Sequence, residues 1–181
     1  MNIYFDTEFT GLHKYTTLIS IGLISEDGRT FYAEFLDYDK TQCNDWIKEN
    51  VLSNLIYSTK DWDTIADVKV KGNKFKIANE LKSWLESFNE NIQLVSDCSH
   101  YDMVLFVDLF GNAFNIPECV CPACYDINVD IANKLCDGDI KLAFDLSREY
   151  LLEQNGIEIE GSKHNSLYDA KVIKAIHNIL K

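Results

Sequence analysis

Two prolines and eight glycines in 181 residues leave this chain few breaks, and no low-complexity tract, internal repeat or linker divides it. It has no apolar run of the roughly 18 residues that a transmembrane helix needs. No basic region precedes the first apolar strand, so no signal peptide is expected and a cytoplasmic location is the default. Positive charge is scarce as well. Lys and Arg number 17 against 29 Asp and Glu, for a net charge of −12. That balance excludes a broad basic footprint for gripping long duplexes, but not a short nucleic acid held through metal ions.

What the chain does contain is apolar residues, at 46%, enough for a sizeable core and a single domain spanning 1–181. Six cysteines, at 43, 98, 119, 121, 124 and 136, suit reduced thiols better than disulfides. Cys121-Pro122-Ala123-Cys124 has zinc-knuckle spacing, with Cys119 close by. No second pair supplies a fourth ligand, and the plainer reading is a buried apolar strand.

Apolar patterning gives three strands first: Ile3–Phe9, Leu18–Ser25 and Thr30–Leu36, with Asp27-Gly28 marking the hairpin between the last two. Trp46–Tyr57 reads as a helix, Ile65–Val70 is ambiguous, and Lys71–Lys74 reads as a loop. Phe75–Phe88 has the clearest 3.6-residue period, with Phe75, Ile77, Leu81, Trp84 and Leu85 on its apolar stripe. Ile92–Ser96 is a strand that a preceding helix allows to run parallel to the first. Helices are expected over Tyr101–Phe114, Ile127–Leu135, Leu142–Leu152 and Leu167–Leu180, with a further strand within Val120–Tyr125. Three antiparallel strands followed by strands alternating with helices define an α/β fold, a mixed sheet flanked by helices.

Ile3-Tyr4-Phe5-Asp6-Thr7-Glu8-Phe9-Thr10-Gly11-Leu12 ends that first strand in two carboxylates and a turn. Alternate residues share a strand face, so Asp6 and Glu8 point the same way with Cα atoms roughly 6.5 Å apart. Two later sites place a carboxylate in the first turn of a helix: Ser99-His100-Tyr101-Asp102 and Ser166-Leu167-Tyr168-Asp169, both variants of the capping box. Either Asp by itself is a helix cap and nothing more. His164 lies five residues before Asp169. On one helix the two would sit about 140° apart, so the Gly161-Ser162 loop must carry His164 if they share a site. Four carboxylates that converge repel unless cations lie between them. Oxygen donors select hard ions, Mg²⁺ or Mn²⁺, and two such ions suit phosphoryl displacement. A neutral imidazole suits a general base. Of the other histidines, His13 reads as a loop residue, His100 as a neighbour of Asp102 and His177 as structural. Trp46, Trp62 and Trp84 read as core or interface anchors.

In their order and separation these three motifs resemble the DEDD superfamily of 3′–5′ exonucleases, in its His-containing DEDDh branch. The Trp46–Leu52 stretch is similar to a subgroup of small bacterial and phage exoribonucleases. The resemblance implies a ribonuclease H-like fold with three antiparallel strands followed by parallel ones. It implies two divalent cations on Asp6, Glu8, Asp102 and Asp169, with His164 as general base. Thr7, Phe9, Gly11 and Leu12 would meet the 3′-terminal nucleotide, Leu12 as a wedge against its base. Asp97 competes with Asp102 for the third carboxylate. Tyr-Asp opening an apolar helix is the family arrangement and favours Asp102, which leaves Asp97 a supporting role. The expected activity is release of nucleoside 5′-monophosphates from 3′ ends of RNA in preference to DNA, by a chain that lacks a membrane anchor and pairs as a homodimer as its relatives often do. A DNA exonuclease and an inactive binding module are the alternatives.

Overall fold

The computed structural model describes residues 1–181. Its sheet has six strands: β1 (Asn2–Phe9), β2 (Leu18–Ser25), β3 (Thr30–Phe35), β4 (Val68–Gly72), β5 (Gln93–Ser96) and β6 (Tyr125–Asp126). They lie in the order β4-β3-β2-β1-β5-β6. β1, β2 and β3 pair antiparallel, whereas β4, β5 and β6 each join their neighbour in parallel. This is the ribonuclease H-like mixed sheet expected from the sequence.

Helices cover both faces: α1 (Asp45–Asn50), α2 (Lys74–Glu86), α3 (Ser99–Leu109), α4 (Asn128–Leu135), α5 (Ile140–Asp145), α6 (Arg148–Gln154) and α7 (Ser166–Leu180). None is long and apolar enough to cross a membrane. On one face, Ile77, Leu81 and Leu85 of α2 and Leu105 and Phe106 of α3 pack on Ile3 and Phe5 of β1 and on Phe31 of β3. On the other, Ile131 of α4 and Ala170, Ile173 and Ile176 of α7 pack on Tyr4 of β1. The period-2 alternation of β1 thus serves two cores, and Tyr4, Asp6 and Glu8 share the α7 side.

Several boundaries differ from the sequence expectation. Lys71-Gly72 belongs to β4, since its parallel register with β3 runs on to Phe35↔Gly72, and α2 then starts at Lys74 rather than after a loop. Phe75 on the expected stripe is 79% exposed, because the helix buries only Ile77, Leu81, Trp84 and Leu85. Trp46–Tyr57 is α1 followed by a 3-10 turn over Leu52–Asn54. The expected helix at Leu142–Leu152 is broken into α5 and α6, with Leu146 extended and Ser147 capping the second. Within Val120–Tyr125 only an isolated bridge, Ile92↔Val120, and the start of β6 form.

One glycine decides where α7 begins. A Cβ on Gly22 would lie 2.2 Å from the backbone nitrogen of Leu167, so the first turn of α7 rests directly on the β2 backbone. Gly22 pairs with Asp6 across the ladder and Ser20 pairs with Glu8. The Ser166 hydroxyl meets that of Ser20 at 3.0 Å. Small residues opposite the two acids therefore seat the helix that carries the fourth carboxylate.

Candidate active site

One open cleft of about 550 Å³ at the end of β1 is lined by Asp6, Glu8, Asp102, His164 and Asp169, the five residues singled out in the sequence. Thr7, Phe9 and Asp97 line it too, whereas Gly11 and Leu12 lie outside that lining. Leu12 is 76% exposed on the loop beyond the strand.

β1 places Asp6 and Glu8 together, and the two helix-borne acids are each placed by a different device. β5 stops pairing with β1 at Tyr4↔Val95, which leaves the β5-side flank of β1 open beyond that point. Asp102 takes this flank. Its Oδ1 accepts from the Thr7 backbone N–H at 3.2 Å and from the Thr7 hydroxyl at 2.6 Å, and its Oδ2 accepts from Ser96. Thr7 therefore spends both donors on positioning Asp102. Asp169 accepts at Oδ2 from the His164 backbone N–H at 2.9 Å. His164 has φ +65°, a left-handed conformation that few non-glycine residues adopt. Its Nδ1 lies 3.7 Å from Glu8 Oε1, beyond hydrogen-bond length, and its ring meets Trp46 edge-on at 5.1 Å. Trp46, half exposed, is thus a neighbour of the site rather than a core anchor.

Ser99 and Ser166 do not cap their helices. Cys98 occupies the cap position of α3 without a side-chain bond, and Asn165 caps α7 through Oδ1 to the N–H groups of Leu167 and Tyr168. The Ser99 hydroxyl instead donates to Asp126 at 2.8 Å, a tertiary partner that the local Ser-x-x-Asp pattern does not reveal.

Asp97 stands apart from the other acids. Its Oδ2 accepts from Arg148 Nε at 3.0 Å, and Arg148 also donates to the carbonyls of Ala143 and Leu146 and to Asn128. Lys163 pairs with Glu149 at 3.0 Å. Both cations of the cleft are therefore already partnered, and neither forms an ion pair with Asp6, Glu8, Asp102 or Asp169.

That leaves an electrostatic imbalance. Asp6 Oδ2 is sealed from solvent and has no hydrogen-bond donor. Burial holds the Asp6 carboxyl well above the ordinary carboxylate range, with Asp102, Asp169 and Glu8 adding repulsion. Burial pushes Asp102 up to about 7 in spite of its donors, and burial with the Glu8 charge pushes Asp169 up to about 8. A bound divalent cation is the partner this set fits, since it would satisfy the orphaned oxygen and offset the repulsion at once. Ligand atoms of Glu8, His164 and Asp169 lie within 4.8 Å of one another, close enough to share an ion. Cys119, Cys121 and Cys124 form no such group; Cys119 and Cys124 pack partly buried against the core, but the segment makes an isolated bridge in place of the buried strand expected from the sequence.

The raised values carry a stability consequence for the metal-free protein. Between pH ~4 and 8 the native state keeps protons that the unfolded chain has released, so stability falls as pH rises. In a chelator, the melting temperature should be higher at pH 5.5 than at pH 8, and Mn²⁺ should restore more of it at pH 8, where the ligands are free of protons. A metal-free melting temperature that climbs across this range would contradict the assignment.

Known proteins resemble this chain in sequence and in fold. The 3′–5′ exoribonuclease Rv2179c of Mycobacterium tuberculosis strain H37Rv is 27% identical over 122 residues, covering 66% of this chain and 67% of that protein. The corresponding 3′–5′ exoribonuclease of strain CDC 1551 matches to the same extent. Among solved structures, S. pombe Pop2p in its Mg²⁺- and Mn²⁺-bound form superposes with a TM-score of 0.61 at 15% identity, covering 97% of this chain and 81% of that one, a likeness of fold. The family model described as the 3′–5′ exoribonuclease Rv2179c-like domain matches residues 1–180, and the chain belongs to that family of 3′–5′ exoribonucleases.

Proposed function

We propose that this exoribonuclease holds two divalent cations, Mg²⁺ or Mn²⁺, on Asp6, Glu8, Asp102 and Asp169, and releases nucleoside 5′-monophosphates from short single-stranded 3′ ends. The observation that carries the reading is Asp6 Oδ2, a buried carboxylate oxygen with no donor among four acids that no lysine or arginine pairs with. The S. pombe Pop2p structure, with Mg²⁺ and Mn²⁺ on a related fold, supports the choice of ion. Bound there, the cations supply charge stabilisation to the attacking and leaving oxygens of an in-line displacement.

The protein's own groups do the rest. The His164 imidazole, with Nδ1 facing Glu8, takes the proton of the attacking water. Asp169 holds His164 through its backbone N–H. Asp102 is kept in place by Thr7 and Ser96, and Asp97 supports the cleft wall through Arg148. Phe9 in the cleft, with Gly11 and Leu12 beyond it, offers apolar surface to the terminal base. The preference for short ends follows from a cleft whose two cations are already paired, on a chain of net charge −12.

A 5′-labelled short RNA should shorten stepwise from its 3′ end with Mn²⁺ and stay intact in chelator, and DNA of the same sequence should be degraded more slowly. Full activity in chelator would sink the cation assignment, and equal rates on the two substrates would sink the RNA preference.

A further inference from the structure

We propose that Glu34, Tyr32, Asn165 and Asn54 form a positioning network that fixes His164; its catalytic consequence rests on the general-base assignment above. None of these four lines the catalytic cleft, yet a continuous chain of hydrogen bonds runs from the sheet interior to both neighbours of His164.

The chain begins at Glu34 of β3, a carboxylate only 1% exposed and with no ion-pair partner. Its Oε1 accepts from the backbone N–H groups of Ile56 at 2.7 Å and Tyr57 at 3.1 Å, and from the Tyr32 hydroxyl at 2.9 Å. The Tyr32 oxygen in turn accepts from Asn165 Nδ2 at 3.2 Å. The same Nδ2 reaches the Asn54 carbonyl at 3.3 Å, while Asn165 Oδ1 caps α7. Both halves of one buried amide are thereby used. From the other side, Asn54 Nδ2 donates to the Lys163 carbonyl at 2.9 Å.

His164 is thus held before and after. Asn54 fixes the carbonyl of residue 163 and Tyr32 fixes the side chain of residue 165, while the peptide between them bends through φ +65°. A strained residue keeps such a conformation only where its surroundings over-determine it. A cap for α7 alone would need only Asn165 Oδ1. The amide's second half, the buried hydroxyl and the buried carboxylate serve no capping purpose, and their hydrogen bonds lead to the Asn165 side chain on one side of His164 and, through Asn54, to the Lys163 carbonyl on the other.

Two variants test this. Tyr32→Phe deletes one hydroxyl from a packed ring, and Asn54→Ala deletes the partly buried amide that donates to the carbonyls of Lys163 and Asn50. In each, hydrogen exchange of the His164 backbone N–H should speed up by ~10-fold or more. The catalytic rate should fall ~10-fold, with KM for RNA as in the wild type, because a displaced base costs rate rather than substrate binding. Placed on a His164→Gly background, neither change should lower the rate further, since residues acting through one group are not additive. Unchanged exchange at His164, or losses that add in full on that background, would overturn the network. A His164→Gly protein with wild-type rate would sink the general-base assignment instead, and the exchange measurement by itself would then decide whether the network holds this backbone.

Discussion

Asp6→Asn is expected to lower the rate of RNA hydrolysis by on the order of 10³-fold or more, about 4 kcal/mol of transition-state stabilisation, while the fold stays intact. The substitution keeps the shape of the side chain and removes one negative charge from a group that already lacks a donor. In the metal-free protein this should be a gain. The Asp6 carboxyl is held well above its ordinary range first by burial and then by Asp102, Asp169 and Glu8, so deleting its charge relieves repulsion on all three. The variant should therefore melt at a higher temperature than the wild type in chelator at pH 8, and at a lower temperature relative to it once Mn²⁺ is added. Loss of activity together with a gain in metal-free stability is the signature of a residue kept for chemistry at a cost to the fold. Retained activity would reduce the acids of the cleft to neighbours without a common task.

His164→Gly is the second large effect. Glycine accepts φ +65° without strain, so this variant removes the imidazole and leaves the backbone free to keep its path to Asp169. The rate should fall ~10²–10⁴-fold, the range for a lost general base. Mn²⁺ binding should survive, because the four carboxylates remain. His164→Ala should show the same kinetic loss with lower stability, since alanine is strained at this φ. Because Glu8, His164 and Asp169 stand within 4.8 Å of one another, the opposite outcome has a defined meaning. Metal affinity lost along with the imidazole would make His164 a ligand rather than a base.

The strand-end acids were legible because successive residues of a strand point to opposite faces, so Asp6 and Glu8 share a face by arithmetic alone. β2 was legible as a largely apolar run, and it is buried from Leu18 to Ser25. Asp102, Asp169 and His164 carry little signal individually and became readable only as an ordered set. What local pattern could not supply was the long-range contacts. Ser99 and Ser166 look like caps, but their hydroxyls are drawn to Asp126 and Ser20, 27 and 146 residues away. The end of β4 looked like a loop because its partner strand lies more than thirty residues earlier in the chain. Asn165 and Tyr32 are 133 residues apart, and nothing in either neighbourhood announces their contact. Ser20 and Gly22, two small residues interrupting an apolar strand, are the one signal that could have been read earlier. They mark the place where another backbone comes close.

Asp6, Glu8, Asp102 and Asp169 are expected to act together as a cage for divalent cations. Calorimetric titration with Mn²⁺ at pH 8 tests it directly, on the wild type and on Asp6→Asn. Two ions should bind per wild-type chain, and at least one of them should be lost in Asp6→Asn. Identical Mn²⁺ binding by the two proteins would contradict it.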